Sequence, residues 1–121
     1  MNNKVLGNTF ERLFVEKLKD NGFWAHFIEP NRSGAQPFDV IAIRDGQTYV
    51  FDCKTSMKDS IGMNRLQLNQ EFAFEKIQQA GCWHTYLAVL HEGRVYCVHY
   101  NQLKYGSVKL NENLLFEQVI R

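Results

Sequence analysis

Asp39, Asp52 and Lys54 are the residues of this chain whose types and spacing best suit a chemical reaction. Between the two aspartates lies Asp45-Gly46, which joins two short apolar runs and is typical of a two-residue β-hairpin turn. Counting outward from that turn along the two strands predicts that Asp39 faces Asp52. Because side chains alternate along a strand, Lys54 is predicted to share the face of Asp52.

Two carboxylates that face each other repel and destabilise a strand pair, unless a cation lies between them. Mg²⁺ commonly binds one or two carboxylates together with water and phosphate oxygens, so this pair is a plausible half of a magnesium site. Lys54 would add a positive charge suited to a phosphate or to the hydroxide that attacks it. The alternative is an exposed hairpin end that carries three solvated charges.

The same residues carry a family resemblance. The run Pro37-Phe38-Asp39, followed after a short hairpin by Asp52-Cys53-Lys54, resembles the motif of the PD-(D/E)xK nucleases. Residues 7–23 are similar to the opening helix of archaeal-type Holliday junction resolvases, and residues 69–96 resemble RecU-type resolvases. The resemblance covers roughly residues 7–100. It departs from the common pattern at Asp52, where glutamate is more frequent, and at Asn69, where RecU-type proteins more often have histidine.

The resemblance implies an α/β fold with a restriction-endonuclease-like core, a mixed β-sheet flanked by helices. It implies a site in which Asp39, Asp52 and the Cys53 carbonyl hold Mg²⁺, with Mn²⁺ able to substitute. It also implies catalytic roles for Lys54 beside the metal, for Glu11 on the first helix as a further metal-site group, and for a glutamine on the second helix, here Gln70. The expected partners are DNA, in branched form, and a second copy of the chain.

Glu11 and Gln70 each have a structural alternative. Glu11 stands three residues after Asn8, the spacing of a helix capping box, so it is either a cap or a site residue. Gln70 lies on the apolar stripe predicted for the second helix, so it is either a buried hydrogen-bonding group or a site group.

Four residues in polar stretches are candidate DNA contacts: Arg32, Ser33, Lys58 and Arg65. The first two lie in the polar segment 30–37 that leads into Asp39, and an arginine there would suit a phosphate. The others follow Lys54 in a polar stretch that could meet a DNA backbone. Ordinary surface side chains are the alternative in both places.

The elements that must position these groups follow from periodicity and turn residues. A first helix is predicted from Asn8 to about Asp20, with an apolar face of Phe10, Leu13, Phe14, Lys17 and Leu18. A second is predicted from about Asn64 to Ala80, with an inner stripe of Leu66, Gln70, Ala73, Ile77 and Ala80. Strands are predicted at Phe23–Glu29, at the two arms of the hairpin, at Trp83–Leu90 and at Arg94–Tyr100. Beyond them a helical turn near residue 102, a strand at 108–110 and an apolar segment at 114–120 are expected, the last packed on the core or in a dimer contact.

Composition limits the class of protein. With 121 residues, 45% of them hydrophobic and 22% charged, residues 1–121 are expected to form a single nuclease domain. The net charge of +1 means that any basic surface must be made by arrangement in space. No apolar run is long enough for a membrane span, no signal peptide is visible, and the three cysteines suit reduced core thiols, so we expect a cytoplasmic protein.

These observations predict a Mg²⁺-dependent DNA endonuclease, foremost a structure-specific Holliday junction resolvase. One alternative is another nuclease of the same fold, in repair, restriction or phage replication. The other is a non-catalytic nucleic-acid-binding module that keeps the fold.

Overall fold

A five-stranded mixed sheet forms the centre of the molecule. The computed structural model describes residues 3–30 and 36–121, with side chains from residue 9 onward. Within that part of the chain, the strands are β1 (Trp24–Phe27), β2 (Val40–Arg44), β3 (Gln47–Thr55), β4 (Ser60–Ile61), β5 (His84–His91), β6 (Arg94–His99) and β7 (Val108–Lys109). The large sheet has the order β1-β2-β3-β5-β6, in which β3 and β5 are parallel and the other neighbours antiparallel. The predicted mixed sheet is confirmed.

The β2–β3 hairpin turns where the sequence predicts. Asp45 and Gly46 have φ values of 54° and 75°, the left-handed backbone that a tight two-residue turn needs and that aspartate and glycine tolerate. The ladder runs from Arg44 opposite Gln47 to Val40 opposite Phe51, so the predicted register is confirmed over these five pairs.

The two faces of the sheet carry separate apolar cores, because successive side chains of a strand point in opposite directions. Phe51 and Cys53 of β3 pack into the core beneath the first helix, α1 (Asn3–Asp20). Val50 packs into the second core, beneath α2 (Leu68–Gln79) and the short helix α3 (Tyr100–Leu103). The sheet is thus flanked by helices on both sides, as an α/β fold requires.

Helix α1 begins earlier than predicted, at Asn3 instead of Asn8. A single internal glycine such as Gly7 costs a helix only about 1 kcal/mol, too little to stop it. Asn8 therefore lies inside the helix, and the interpretation of Glu11 as a capping-box residue is wrong. The predicted apolar face is also wrong at Leu13, which is 62% exposed, whereas Phe14 and Leu18 are buried.

The predicted second helix is divided. Met63–Arg65 forms a 3₁₀ turn, Leu66 is extended and buried, and α2 starts only at Leu68. The inner stripe of α2 consists of Gln70, Phe74 and Gln78, and the predicted member Ala80 is exposed. The buried, extended Leu66 separates the 3₁₀ turn from α2, whereas the spacing of apolar residues predicts one continuous helix.

The C-terminal segment packs on the chain's own core. It contains a 3₁₀ turn at Glu112–Leu114 and the short helix α4 (Phe116–Val119). Phe116 is 1% exposed and Ile120 is 5% exposed, and both belong to the core beneath α1. Of the two expectations for this segment, core packing is confirmed. Among the described residues, no helix combines the length and apolarity that crossing a membrane requires.

Candidate active site

Asp39 lies one residue beyond the end of the β2–β3 ladder. Its backbone N–H donates to Phe51 O over 2.9 Å, and its carbonyl accepts from Ile28 N at 2.8 Å. Its side-chain Oδ2 accepts a hydrogen bond from the backbone N–H of Cys53 at 2.7 Å. The predicted direct pairing of Asp39 with Asp52 is wrong in detail, because the ladder ends at Val40 opposite Phe51 and the Asp39 N–H also bonds to Phe51 O. The two aspartates still belong to one cluster.

Asp52 lies at the bottom of that cluster with a fully buried side chain. Its Oδ1 accepts a hydrogen bond of 2.7 Å from Nε2 of Gln70, which projects from the first turn of α2. Its Oδ2 lies 3.0 Å from Nζ of Lys54, whose side chain is 20% exposed. Lys54 shares the face of Asp52, as strand alternation predicts.

The second oxygen of Asp52 is incompletely satisfied. Oδ2 is a buried atom whose neighbour is the Lys54 ammonium group in a 3.0 Å ion pair, and no described residue meets it in full hydrogen-bond geometry. Such atoms are rare in folded proteins, because an unpaired buried acceptor costs on the order of 1–3 kcal/mol. A buried carboxylate oxygen that lacks a full hydrogen bond is a natural ligand for a hard cation.

Crowding of negative charge raises the pKa values here. Burial, followed by the nearby Asp39 carboxylate, raises the pKa of Asp52, and the adjacent Lys54 only partly offsets this. Burial also raises the pKa of Glu11 from 4.5 to about 7, with the Asp39 carboxylate as the next cause. Glu11 projects from α1 and is half-buried, and Asp39 and Lys54 both act on its charge. The helix thus supplies a third acidic group at the edge of the aspartate pair.

The donors suit a cation that prefers oxygen ligands. Among the described residues, no three His, Cys, Asp or Glu side chains converge closely enough to hold a metal ion by themselves. Asp39 and Asp52 would thus supply two carboxylates, the number that Mg²⁺ usually takes from a protein. The Cys53 thiol is buried in the opposite core, and burial raises its pKa, so Cys53 can contribute only its backbone.

Two of the four predicted DNA contacts can be placed. Lys58 is exposed in the loop after β3. Arg65 is partly buried and donates from Nη2 to the Thr55 carbonyl at 2.8 Å, which holds it beside the end of the same strand. Arg32 and Ser33 lie outside the described residues.

Two further polar residues, Asn69 and Gln36, connect the start of α2 with the segment before Asp39, and neither is among the site residues predicted from sequence. Asn69 Nδ2 lies 3.4 Å from the backbone carbonyl of Gln36, which connects the start of α2 to the segment before Asp39. The side-chain Oε1 of Gln36 is buried and has no hydrogen-bond partner among the described residues. Nothing in a polar segment between two prolines distinguishes Gln36, so periodicity and motif spacing had no means of finding it.

Comparisons with known proteins identify relatives of this chain. Residues 2–117 match the family described as archaeal Holliday junction resolvase (Hjc). The chain is 31% identical over 71 residues to a crossover junction endodeoxyribonuclease Hjc of Methanocaldococcus jannaschii, a match that covers 59% of this chain and 50% of that protein. It therefore spans about half the length of this curated relative.

A solved structure shares the fold. The structure of Archaeoglobus fulgidus Hjc, described as a Holliday junction resolvase from an archaeal hyperthermophile, superposes with a TM-score of 0.65 at 17% identity and 88% coverage of each chain. The family match includes every residue of the cluster around Asp52. The chain belongs to the archaeal Holliday junction resolvase family.

Proposed function

We propose that this protein is an endonuclease that hydrolyses phosphodiester bonds in branched DNA and resolves Holliday junctions. One observation carries the proposal: the buried Asp52 presents, beside Asp39, a carboxylate oxygen that lies 3.0 Å from the Lys54 ammonium and has no full hydrogen bond to any described residue. A non-catalytic module gains nothing from this costly arrangement, whereas metal-assisted hydrolysis needs it.

Nucleases of this family depend in general on a divalent metal. Mg²⁺ is the ion we propose, with Mn²⁺ as a substitute, because the available donors are oxygens. Asp39, Asp52 and the Cys53 carbonyl would hold it, and Glu11 would bind it or one of its waters from the side of α1. When bound, the ion would polarise the scissile phosphate and lower the pKa of an attacking water.

The protein groups act around that phosphate. Lys54 places a positive charge where negative charge grows as the water oxygen attacks phosphorus and one phosphorus–oxygen ester bond breaks. Gln70 fixes the orientation of the Asp52 carboxylate through its 2.7 Å hydrogen bond. Glu11 would orient the attacking water, and Arg32, Ser33, Lys58 and Arg65 would hold the flanking backbone.

We further propose a homodimer. Resolution of a four-way junction requires two symmetric cuts, and a two-fold dimer supplies two equivalent sites. Sedimentation of the free protein tests this point directly, since a monomer at the concentrations that support cleavage would contradict it.

The test of function uses end-labelled four-way junctions, linear duplexes and flaps of shared sequence, incubated with the protein and Mg²⁺. Paired symmetric nicks in the junction alone are expected, and Asp52→Asn should abolish them. Asp45→Asn is the matched control, because the same exchange at the exposed turn of the hairpin leaves the cluster intact. Undiminished metal-dependent cleavage by Asp52→Asn would refute the proposed site, and equal cleavage of every substrate would refute the resolvase assignment.

A further inference from the structure

A cavity of about 680 Å³ opens where β3 ends, next to the proposed active site. It begins at Thr55, which directly follows Lys54, and it reaches across to the β5–β6 turn at Glu92 and Gly93. Its volume lies within the roughly 300–1,000 Å³ of pockets that bind small ligands, a class that includes a single nucleotide. Most of its polar lining is hydroxyl and amide groups, contributed by Thr55, Ser56, Ser60, Asn64 and Ser107.

The turn at the mouth of this cavity carries a large apolar side chain that is exposed to solvent. Met57 also lines the cavity and is 97% exposed. The turn itself is fixed, because Ser56 Oγ donates to Lys58 O at 2.9 Å and accepts from Lys58 N at 3.1 Å. An exposed methionine does not stabilise the fold, because the stabilisation comes from burying its side chain away from water.

Two cations flank the same mouth. Arg65 uses Nη2 to hold the Thr55 carbonyl at 2.8 Å, which leaves other N–H groups of the guanidinium for a ligand. Lys58 is exposed beside Met57. Glu92 is the acidic side chain among the described lining residues, with 82% of its side chain exposed, and can accept from a base amino group. The lining therefore suits a ligand with a phosphate, a sugar and a polar ring.

We propose that this cavity binds one unpaired nucleotide of the DNA strand at the branch point, while Met57 inserts against the base step that the nucleotide leaves. The inference rests on the proposed function and adds the means by which the protein distinguishes branched from linear DNA. Apolar side chains, methionine among them, act as wedges between base steps in proteins that distort DNA. Extruding a base costs least where stacking is already interrupted, which is the case at a junction and not in a continuous duplex.

The experiment places 2-aminopurine beside the branch point of a four-way junction, because its fluorescence rises when the base unstacks. The Asp52→Asn protein is used to prevent cutting. We expect a fluorescence rise with the junction and none with a duplex of the same sequence. Adding Met57→Ala should abolish the rise and weaken junction binding roughly tenfold, the size of one lost stacking contact, while duplex binding changes little. Met57→Leu should restore both.

A second variant tests the cavity separately. Ser107 is exposed and lines the cavity, so Ser107→Phe should fill it with little effect on folding. Combined with Asp52→Asn, it should reduce the fluorescence rise. In the otherwise unaltered protein, it should reduce the rate of junction cleavage. Trp83→Ala, which removes an exposed side chain at the opposite end of β5, is the control and should change neither.

The outcomes separate the two proposals. Symmetric junction cleavage that Met57→Ala and Ser107→Phe both leave unchanged would overturn the nucleotide cavity and leave the resolvase assignment standing. A fluorescence rise that both Met57→Ala and Ser107→Phe reduce, in a protein that cuts no DNA, would support the cavity and overturn the enzyme. If Met57→Ala abolishes the fluorescence rise and Ser107→Phe leaves it unchanged, the nucleotide cavity is also overturned. Met57 would then act as a wedge without a nucleotide bound in the cavity.

Discussion

The side-chain amide of Gln70 binds the proposed active site and the start of its own helix at once. Its Nε2 donates to Asp52 Oδ1 at 2.7 Å, and its Oε1 accepts from the backbone N–H of Gln67 at 3.1 Å. Through Oε1, the side chain accepts a hydrogen bond from one of the backbone N–H groups that have no partner within the helix at its start. Because both halves are engaged, the amide can adopt only one orientation, and the Asp52 carboxylate is held accordingly.

Gln70→Ala should weaken metal binding more than it weakens the fold. Outer groups that orient a metal ligand typically contribute about 10- to 100-fold in metal affinity. We expect cleavage by this variant to require a correspondingly higher Mg²⁺ concentration and to recover when Mg²⁺ is raised. Mg²⁺ titrations of junction cleavage measure this, with Gln79→Ala, at the exposed end of the same helix, as the control. A lower maximal rate with an unchanged Mg²⁺ midpoint would show that Gln70 does not act through Asp52.

Lys54→Gln should lower the rate of cleavage without loosening DNA binding. The ammonium group lies 3.0 Å from Asp52 Oδ2, where it can meet charge that develops on the phosphate. Losing one such group costs about 10²- to 10³-fold in turnover. Single-turnover rates and the dissociation constant for the junction separate the two effects. A large change in the dissociation constant with normal single-turnover rates would make Lys54 a binding residue instead.

The metal-free protein should lose stability as pH rises through neutrality. Burial and Asp39 raise the pKa of Glu11 from 4.5 to about 7, so the folded state holds a proton that the unfolded state has released. The stabilising contribution is complete below about pH 4.5 and is lost as pH rises through about 7. Glu11→Gln should make this part of the stability profile less steep, and the raised pKa of Asp52 accounts for the slope that remains.

Urea unfolding in the presence of a chelator, at intervals from pH 4.5 to 8.5, measures that profile. Glu16→Gln is the matched control, since Glu16 is an exposed glutamate on the same helix. If Mg²⁺ binds as proposed, adding it at pH 8 should raise the stability of the parent protein and have no effect on Asp52→Asn. A profile for Glu11→Gln that parallels the parent's would contradict the role assigned to Glu11.

Phe14 anchors the helix that carries Glu11, and Phe14→Ala should be strongly destabilising. Its ring is 1% exposed and lies 4.9 Å from Phe51 and 5.9 Å from Phe116, centroid to centroid. Removing such a ring costs about 3–5 kcal/mol. Chemical denaturation should show a loss of that size, whereas Leu13→Ala, on the exposed side of the same helix, should cost under about 1 kcal/mol. Comparable losses at the two positions would mean that α1 is packed differently.

Local chemistry explains which predictions from sequence are confirmed. Asp45-Gly46 supplies the backbone that a tight turn needs, and that turn fixes the register of five residue pairs. Alternation then places Lys54 on the face of Asp52. The likeness of these residues to a known motif indicates the family from the sequence alone.

The wrong predictions concern choices that depend on distant groups. Asp39 falls outside the regular ladder, with its N–H on Phe51 O and its carboxylate on the N–H of Cys53, which no spacing rule shows. The second helix is interrupted because the buried Leu66 is extended, and periodicity cannot distinguish that from a continuous helix. The segment around Met57 is an exposed loop, as its polar sequence predicts, but sequence alone does not show the cavity that Met57 lines.

The two faces of β3 place a constraint on the length of the hairpin. Asp52 and Lys54 point toward the catalytic side, and Phe51 and Cys53 fill the core beneath α1. Inserting or deleting one residue in this strand would exchange the two sets, moving charges into the core and an aromatic ring into the site. A change of one residue in the length of this strand would therefore remove activity and fold together.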